Sequence, residues 1–142
     1  MIVVDTSVAV KWLFREEEHT VESFALLAHE LAGGSILAPP LLRSEVTNAI
    51  RQRLRRDHVT RDEALVSLDR FLSLPITITE PDDLYRQALF IAADYNLPAA
   101  YDAHFVALAQ THACDMWTAD QRLLSQLDGR LSFVRWIVDY RE

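Results

Sequence analysis

With 142 residues, half of them hydrophobic, a quarter charged and only three glycines, the chain suits one domain with a sizeable core and is too apolar for a disordered one. A single cysteine, Cys114, excludes an internal disulfide and a thiolate metal cluster and fits a reducing compartment. The formal net charge of −7 argues against a general nucleic-acid binder, which would be basic overall.

The opening "MIVVDTSVAV" has no basic segment and is interrupted by Asp5, so it does not read as a signal peptide. No apolar run approaches the roughly 18–20 residues that span a membrane. A cytoplasmic protein is expected, with no membrane partner.

Ile2–Val4 reads as a first strand, ending on Asp5. Ser7–Phe14 reads as a helix running into the acidic "REEEHT", and Val21–Ala32 as a second, stopped by Gly33-Gly34. Ser35–Ala38 is the next strand. Leu41–Arg56 opens after Pro39-Pro40, where proline is tolerated at a helix start. On that helix Glu45 lines up with Leu42, Ala49 and the flanking Val46. Between Leu41 and Arg61, six arginines face only Glu45 and Asp57, a local excess of four positive charges. Two readings stay open: a solvated helix end whose cations complement the dipole, or a patch steering phosphates, with Arg51 and Arg55 as its candidates.

Thr60 and Glu63 form a capping-box pattern ahead of a helix over Arg61–Leu74. A strand over Ile76–Thr79 and a helix over Asp82–Tyr95, closing at Asn96-Leu97-Pro98, come next. In the helix Ala100–Thr111, Asp102 shares a face with Phe105, Val106 and Ala109, where an apolar residue is expected. The strand Asp115–Thr118 leads to Asp120 and the short helix Gln121–Leu127, where Asp120 aligns with Leu123, Leu124 and Leu127. Leu131–Ile137 supplies the last strand. Alternating strands and helices imply a doubly wound α/β domain, and the nearly continuous apolar strands suit a parallel sheet.

In such a sheet the functional crevice lies at the carboxyl ends of the strands. Asp5 and Asp120 directly follow strands, Glu45 opens the helix after one, and Asp102 opens the helix leading into another. All four therefore belong to the same end. Asp5 and Asp120 also suit N-caps, and Asp102 suits a helix dipole. Glu45 lies beyond the cap on an apolar stripe, where an unpaired carboxylate is costly. Four converging acids repel unless a divalent cation neutralises them, and oxygen-only ligation favours Mg²⁺ or Mn²⁺ over zinc. His104, two residues from Asp102, faces another side of the helix and is set aside. The ion would polarise a phosphate oxygen and activate a water for in-line attack. Whether one or two ions act is left open.

Four blocks, "IVVDTSVAVKWL", "APPLLRSEVTNAIRQRLRR", "LPAAYDAHFVALAQ" and "MWTADQRLL", cover nearly the whole chain in order. Together they resemble the PIN-domain ribonucleases, and specifically the toxins of VapBC-type toxin–antitoxin pairs. That resemblance implies a single PIN-like domain over residues 1–142, with a five-stranded parallel sheet flanked by helices. It further implies Mg²⁺- or Mn²⁺-dependent endonucleolytic cleavage of RNA, homodimerisation and inhibition by a cognate antitoxin. Carried over residue by residue, Asp5, Glu45, Asp102 and Asp120 are the metal-binding, catalytic acids. The hydroxyl of Thr6 or Ser7 would hold a water or phosphate and Thr118 would support the Asp120 loop, the other reading of these hydroxyls being local caps. Phe105 stands where many relatives carry tyrosine, which leaves the acidic set intact. Trp12 and Trp117 read as core.

Other readings have their own marks. A haloacid-dehalogenase-type phosphoryl-transfer domain wants an aspartate two residues after the first, where this chain has Ser7. A receiver domain wants an acidic pair at that strand end and a lysine late in the chain, and the only lysine is Lys11. A catalytically silent binding module would have lost one or more of the four acids.

Overall fold

Ile2, Val3 and Val4 are all buried, and as β-branched residues they suit a strand covered on both faces. They form β1 (Ile2–Val4), the centre of the computed structural model, which describes residues 1–141. In chain order there follow α1 (Thr6–Ala9) with a 3-10 turn at Val10–Trp12, α2 (Thr20–Leu31), β2 (Ile36–Ala38), α3 (Leu41–Arg55), α4 (Arg61–Leu72) and β3 (Ile76–Ile78). The second half comprises α5 (Leu84–Asp94), α6 (Tyr101–Thr111), β4 (Asp115–Thr118), α7 (Gln121–Leu127) and β5 (Val134–Trp136). The five strands form one parallel sheet in the order β3-β2-β1-β4-β5. This is the expected five-stranded, doubly wound α/β fold. Among the described residues no helix is long and apolar enough to cross a membrane.

Chain direction along the sheet reverses at β1. The crossovers from β1 to β3 step outward on one side, and those from β3 through β4 to β5 step the other way. Right-handed crossovers therefore carry α1–α4 over one face and α5–α7 over the other. The switch point lies between β1 and β4, paired Ile2 to Asp115 and Val4 to Trp117. Helix α6 packs beneath this pair, with Ala103 and Phe105 through Ala109 buried.

Three local expectations change. The helix expected at Ser7–Phe14 is one α-turn followed by a 3-10 turn, in which Lys11 and Trp12 are buried and the Trp12 indole donates to Ser23 O at 2.9 Å. The strand expected over Leu131–Ile137 pairs only at Val134–Trp136. A turn with Val134 N–H donating to Leu131 O precedes it, and a 3-10 turn at Ile137–Asp139 follows. Gly33 and Gly34 do not end α2 through a left-handed residue, since Gly129 is the glycine with positive φ. Gly34 instead leaves room for Glu30, whose carboxylate accepts from Ser35 N–H at 2.8 Å and lies where a Cβ would sit.

Candidate active site

Asp5, one residue beyond β1, is 3% exposed and caps α1, accepting from Val8 N–H at 3.2 Å. The Ser7 hydroxyl donates to Asp5 Oδ1 at 2.5 Å, and the buried Thr118 hydroxyl donates to Oδ2. The same two hydroxyls tie down the loop after β4. Ser7 Oγ accepts from Ala119 N–H at 2.7 Å, and Thr118 Oγ1 accepts from Asp120 N–H at 3.0 Å. Asp120 in turn caps α7, its Oδ1 accepting from Arg122 N–H at 2.8 Å and Leu123 N–H at 3.4 Å. Asp5 and Ser7, through Thr118 and Ala119, thus link the β1 and β4 ends of the sheet.

Glu45, in the second turn of α3, is half-buried beside Leu42 and Val46 and accepts from the Thr6 hydroxyl. Asp102 lies half-buried in the first turn of α6. Asp5, Thr6, Ser7, Ser44, Glu45, Asn48, Ala49, Asp102 and Asp120 line one cleft of about 470 Å³. All four sequence-derived acids are therefore brought together. None of them makes an ion pair with a described residue.

Burial and mutual repulsion show in their proton affinities. Burial lifts Asp5 to about 6, against the pull of its Ser7, Thr118 and Val8 hydrogen bonds, with Asp102 adding repulsion. Glu45 is raised by burial and by Asp102, opposed by the Thr6 hydroxyl. Asp102 is raised by burial and by Asp120. Asp102 is thus the acid whose charge is coupled to each of the other three. Among the described residues no three Asp, Glu, His or Cys side chains close into a finished cation site. The acids ring an open cleft instead of forming a cage.

Of the candidate hydroxyls, Thr6 donates to Glu45 and Ser7 to Asp5, while Thr118 accepts from Asp120 N–H. His104 does not line the cleft. Its Nδ1 lies 2.7 Å from Ala100 O, and its charge, when protonated, lowers the Glu45 pKa. Trp12 and Trp117 are buried, as expected of core residues. Ser44 and Asn48 also line the cleft, which nothing in their sequence setting singles out. Arg51 and Arg55 lie outside the cleft, exposed, beside a neighbouring hollow.

A family model described as PIN domain matches residues 2–129. Ribonuclease VapC12 of Mycobacterium tuberculosis is 32% identical over 123 residues, 87% of this chain and 89% of its own. The crystal structure of PAE2754 from Pyrobaculum aerophilum is similar with a TM-score of 0.65 at 22% identity, covering 96% of this chain and 90% of that one. Mycobacterium tuberculosis VapC20, described as a sarcin-ricin loop cleaving toxin, gives 0.67 at 17% identity, covering 95% and 99%. At those identities the two structures speak for the fold alone.

Proposed function

The chain belongs to the PIN-domain family, with VapC ribonucleases among its relatives, and from that premise we propose that it is an endoribonuclease hydrolysing RNA phosphodiester bonds with Mg²⁺ or Mn²⁺. Its role in this reading is the toxin of a type II toxin–antitoxin pair. The observation that carries the reading is four carboxylates from four separate segments opening on one cleft without a protein cation to balance them.

The donor set is all oxygen, which fits Mg²⁺ or Mn²⁺. An open arrangement also suits Mg²⁺, which keeps several waters and takes one or two carboxylates together with substrate phosphate. Such an ion, when bound, supplies polarisation of a phosphate oxygen and activation of water. The chain's own part is orientation. Glu45 and Asp120 each have one oxygen fixed by Thr6 or by the α7 N–H groups, leaving the other without a hydrogen bond from a described residue. Asp5 is fixed through both oxygens by Ser7 and Thr118. Asp102, which accepts no hydrogen bond from a described residue, is the one free to adjust. A catalytically silent module is disfavoured because no acid of the set is missing or displaced.

Exposed apolar side chains on α4 (Leu65, Val66, Leu72) and α5 (Tyr85, Leu89, Phe90) offer surface for a second copy and for an antitoxin chain. A homodimer with a separate inhibitory partner is part of the same proposal. The test is cleavage of a panel of single-stranded RNAs in Mg²⁺, Mn²⁺ or EDTA, beside Asp102→Asn. Cleavage that needs the metal and Asp102 supports the reading. Cleavage unaffected by EDTA, or none on any RNA, overturns it.

A further inference from the structure

We propose that the face of α3 carrying Ser44, Asn48, Arg51 and Arg55 is a track that holds single-stranded RNA by its phosphates and leads it into the acidic cleft. The inference rests on the RNA-cleaving reading and extends it from the cleft to the path that feeds it. Successive helical residues turn by about 100°, so these four side chains fall within an arc of about 60°. That arc lies opposite the buried Leu42, Val46 and Ile50. At about 1.5 Å per residue, Asn48, Arg51 and Arg55 stand roughly 5, 9 and 15 Å along the axis from Glu45. The row therefore begins inside the cleft, with Ser44 and Asn48, and continues outward to the arginines.

The arginines of this helix are not alike. Arg53 is committed to the fold, paired with Glu16 and Glu17 and lying 3.8 Å over the Phe14 ring. Arg51 and Arg55 are exposed and make no ion pair with a described residue. They line a hollow of about 720 Å³ together with Arg61, Asp57 and Glu63. Of the two acids there, Glu63 is engaged in the α4 cap, its carboxylate accepting from Thr60 N–H at 2.7 Å. In a chain of net charge −7 whose cleft is itself acidic, phosphates need a local attraction to approach, and these arginines provide it. Nearer the acids, Gln52 donates to Asn48 Oδ1 at 3.4 Å, which leaves the Asn48 N–H groups for a phosphate or sugar oxygen.

No Phe, Tyr or Trp lines the cleft or the arginine hollow, where His58 is the one ring among the described residues, so the track holds RNA chiefly by its backbone. A flexible single strand can dip a phosphate toward Asp5, at 3% exposure, where a stiff duplex cannot.

The test is fluorescence anisotropy of a labelled single-stranded 20-mer of mixed sequence, with Asp5→Asn protein in EDTA, across about 50–200 mM KCl. Adding Arg51→Ala and Arg55→Ala should weaken binding about tenfold and flatten the log–log salt slope by about 1.4, the loss of two single-strand phosphate contacts. The loss should be equal for unrelated sequences. Arg70→Ala with Arg86→Ala, outside the row, should change neither. In the otherwise wild-type enzyme the Arg51/Arg55 pair should raise KM. Unchanged affinity and slope while wild-type protein cuts the same RNA would overturn the track and leave the nuclease reading standing. Absence of cutting by wild type, with the arginine effect intact, would sink the nuclease reading and keep an RNA-binding face.

Discussion

Asp5 accepts three hydrogen bonds and still binds a proton more tightly than an ordinary carboxyl, because burial outweighs its donors. Its affinity rises from 3.8 to about 6 on folding. Without metal, this group therefore favours the folded state fully below pH 4, and the favour is lost as pH rises through 6. The change is about 3 kcal/mol over that window. Asp5→Asn removes the titration but keeps the cap, since the amide oxygen still accepts from Ser7 and Val8. Urea unfolding in EDTA at pH 7.5 should show the variant as stable as wild type or more so, with no RNA cleavage. A loss of more than about 2 kcal/mol would mean that Asp5 serves the fold alone. Thr118→Val, by contrast, strips Asp120 N–H of its acceptor as well as Asp5 of a donor, and should cost about 1–3 kcal/mol by the same measurement. Glu45, Asp102 and Asp120 were readable in the sequence because carboxylates on apolar stripes are conspicuous, and Asp5 because it ends the first strand. Ser44 and Asn48 were not, since exposed polar residues on a helix are ordinary until a cleft singles them out.

Helix ends show how this chain works with so few glycines. After α3, α5 and α6 the residues Asp57, Asn96 and Ala113 take the left-handed conformation, with φ of 55°, 52° and 49°. In each, the next N–H reaches back to close the helix: His58 to Arg53 O, Leu97 to Ala92 O and Cys114 to Ala109 O, at 2.8–3.1 Å. Asparagine and aspartate tolerate that geometry, whereas alanine pays about 1–2 kcal/mol for it. Ala113→Gly should therefore stabilise the protein by about 1 kcal/mol in urea unfolding without altering cleavage; no gain would mean that the φ is relaxed in solution. The Thr60–Glu63 capping box and the Asn96 stop were legible because their chemistry is local. The first helix was misjudged, since its 3-10 turn follows from burying Lys11 and Trp12 beneath α2, a tertiary demand.

At the level of the whole molecule, alternating elements revealed a parallel α/β sheet but not the strand order, because pairing depends on contacts that no single segment records. The order β3-β2-β1-β4-β5 is what sets β1 beside β4 and so Asp5 near Asp120. Pairing of two copies through the exposed apolar helices should appear in sedimentation as twice the 16.3 kDa chain mass, and a monomer would remove the homodimer from the proposal without touching the cleft. Calorimetric titration of Mn²⁺ into wild type and into the Asp5→Asn, Glu45→Gln, Asp102→Asn and Asp120→Asn variants tests the shared cation most directly. Saturable binding by wild type that weakens at least tenfold in Asp5→Asn and Asp102→Asn is expected. Wild-type binding that none of the four substitutions alters, or no binding at all, would contradict it.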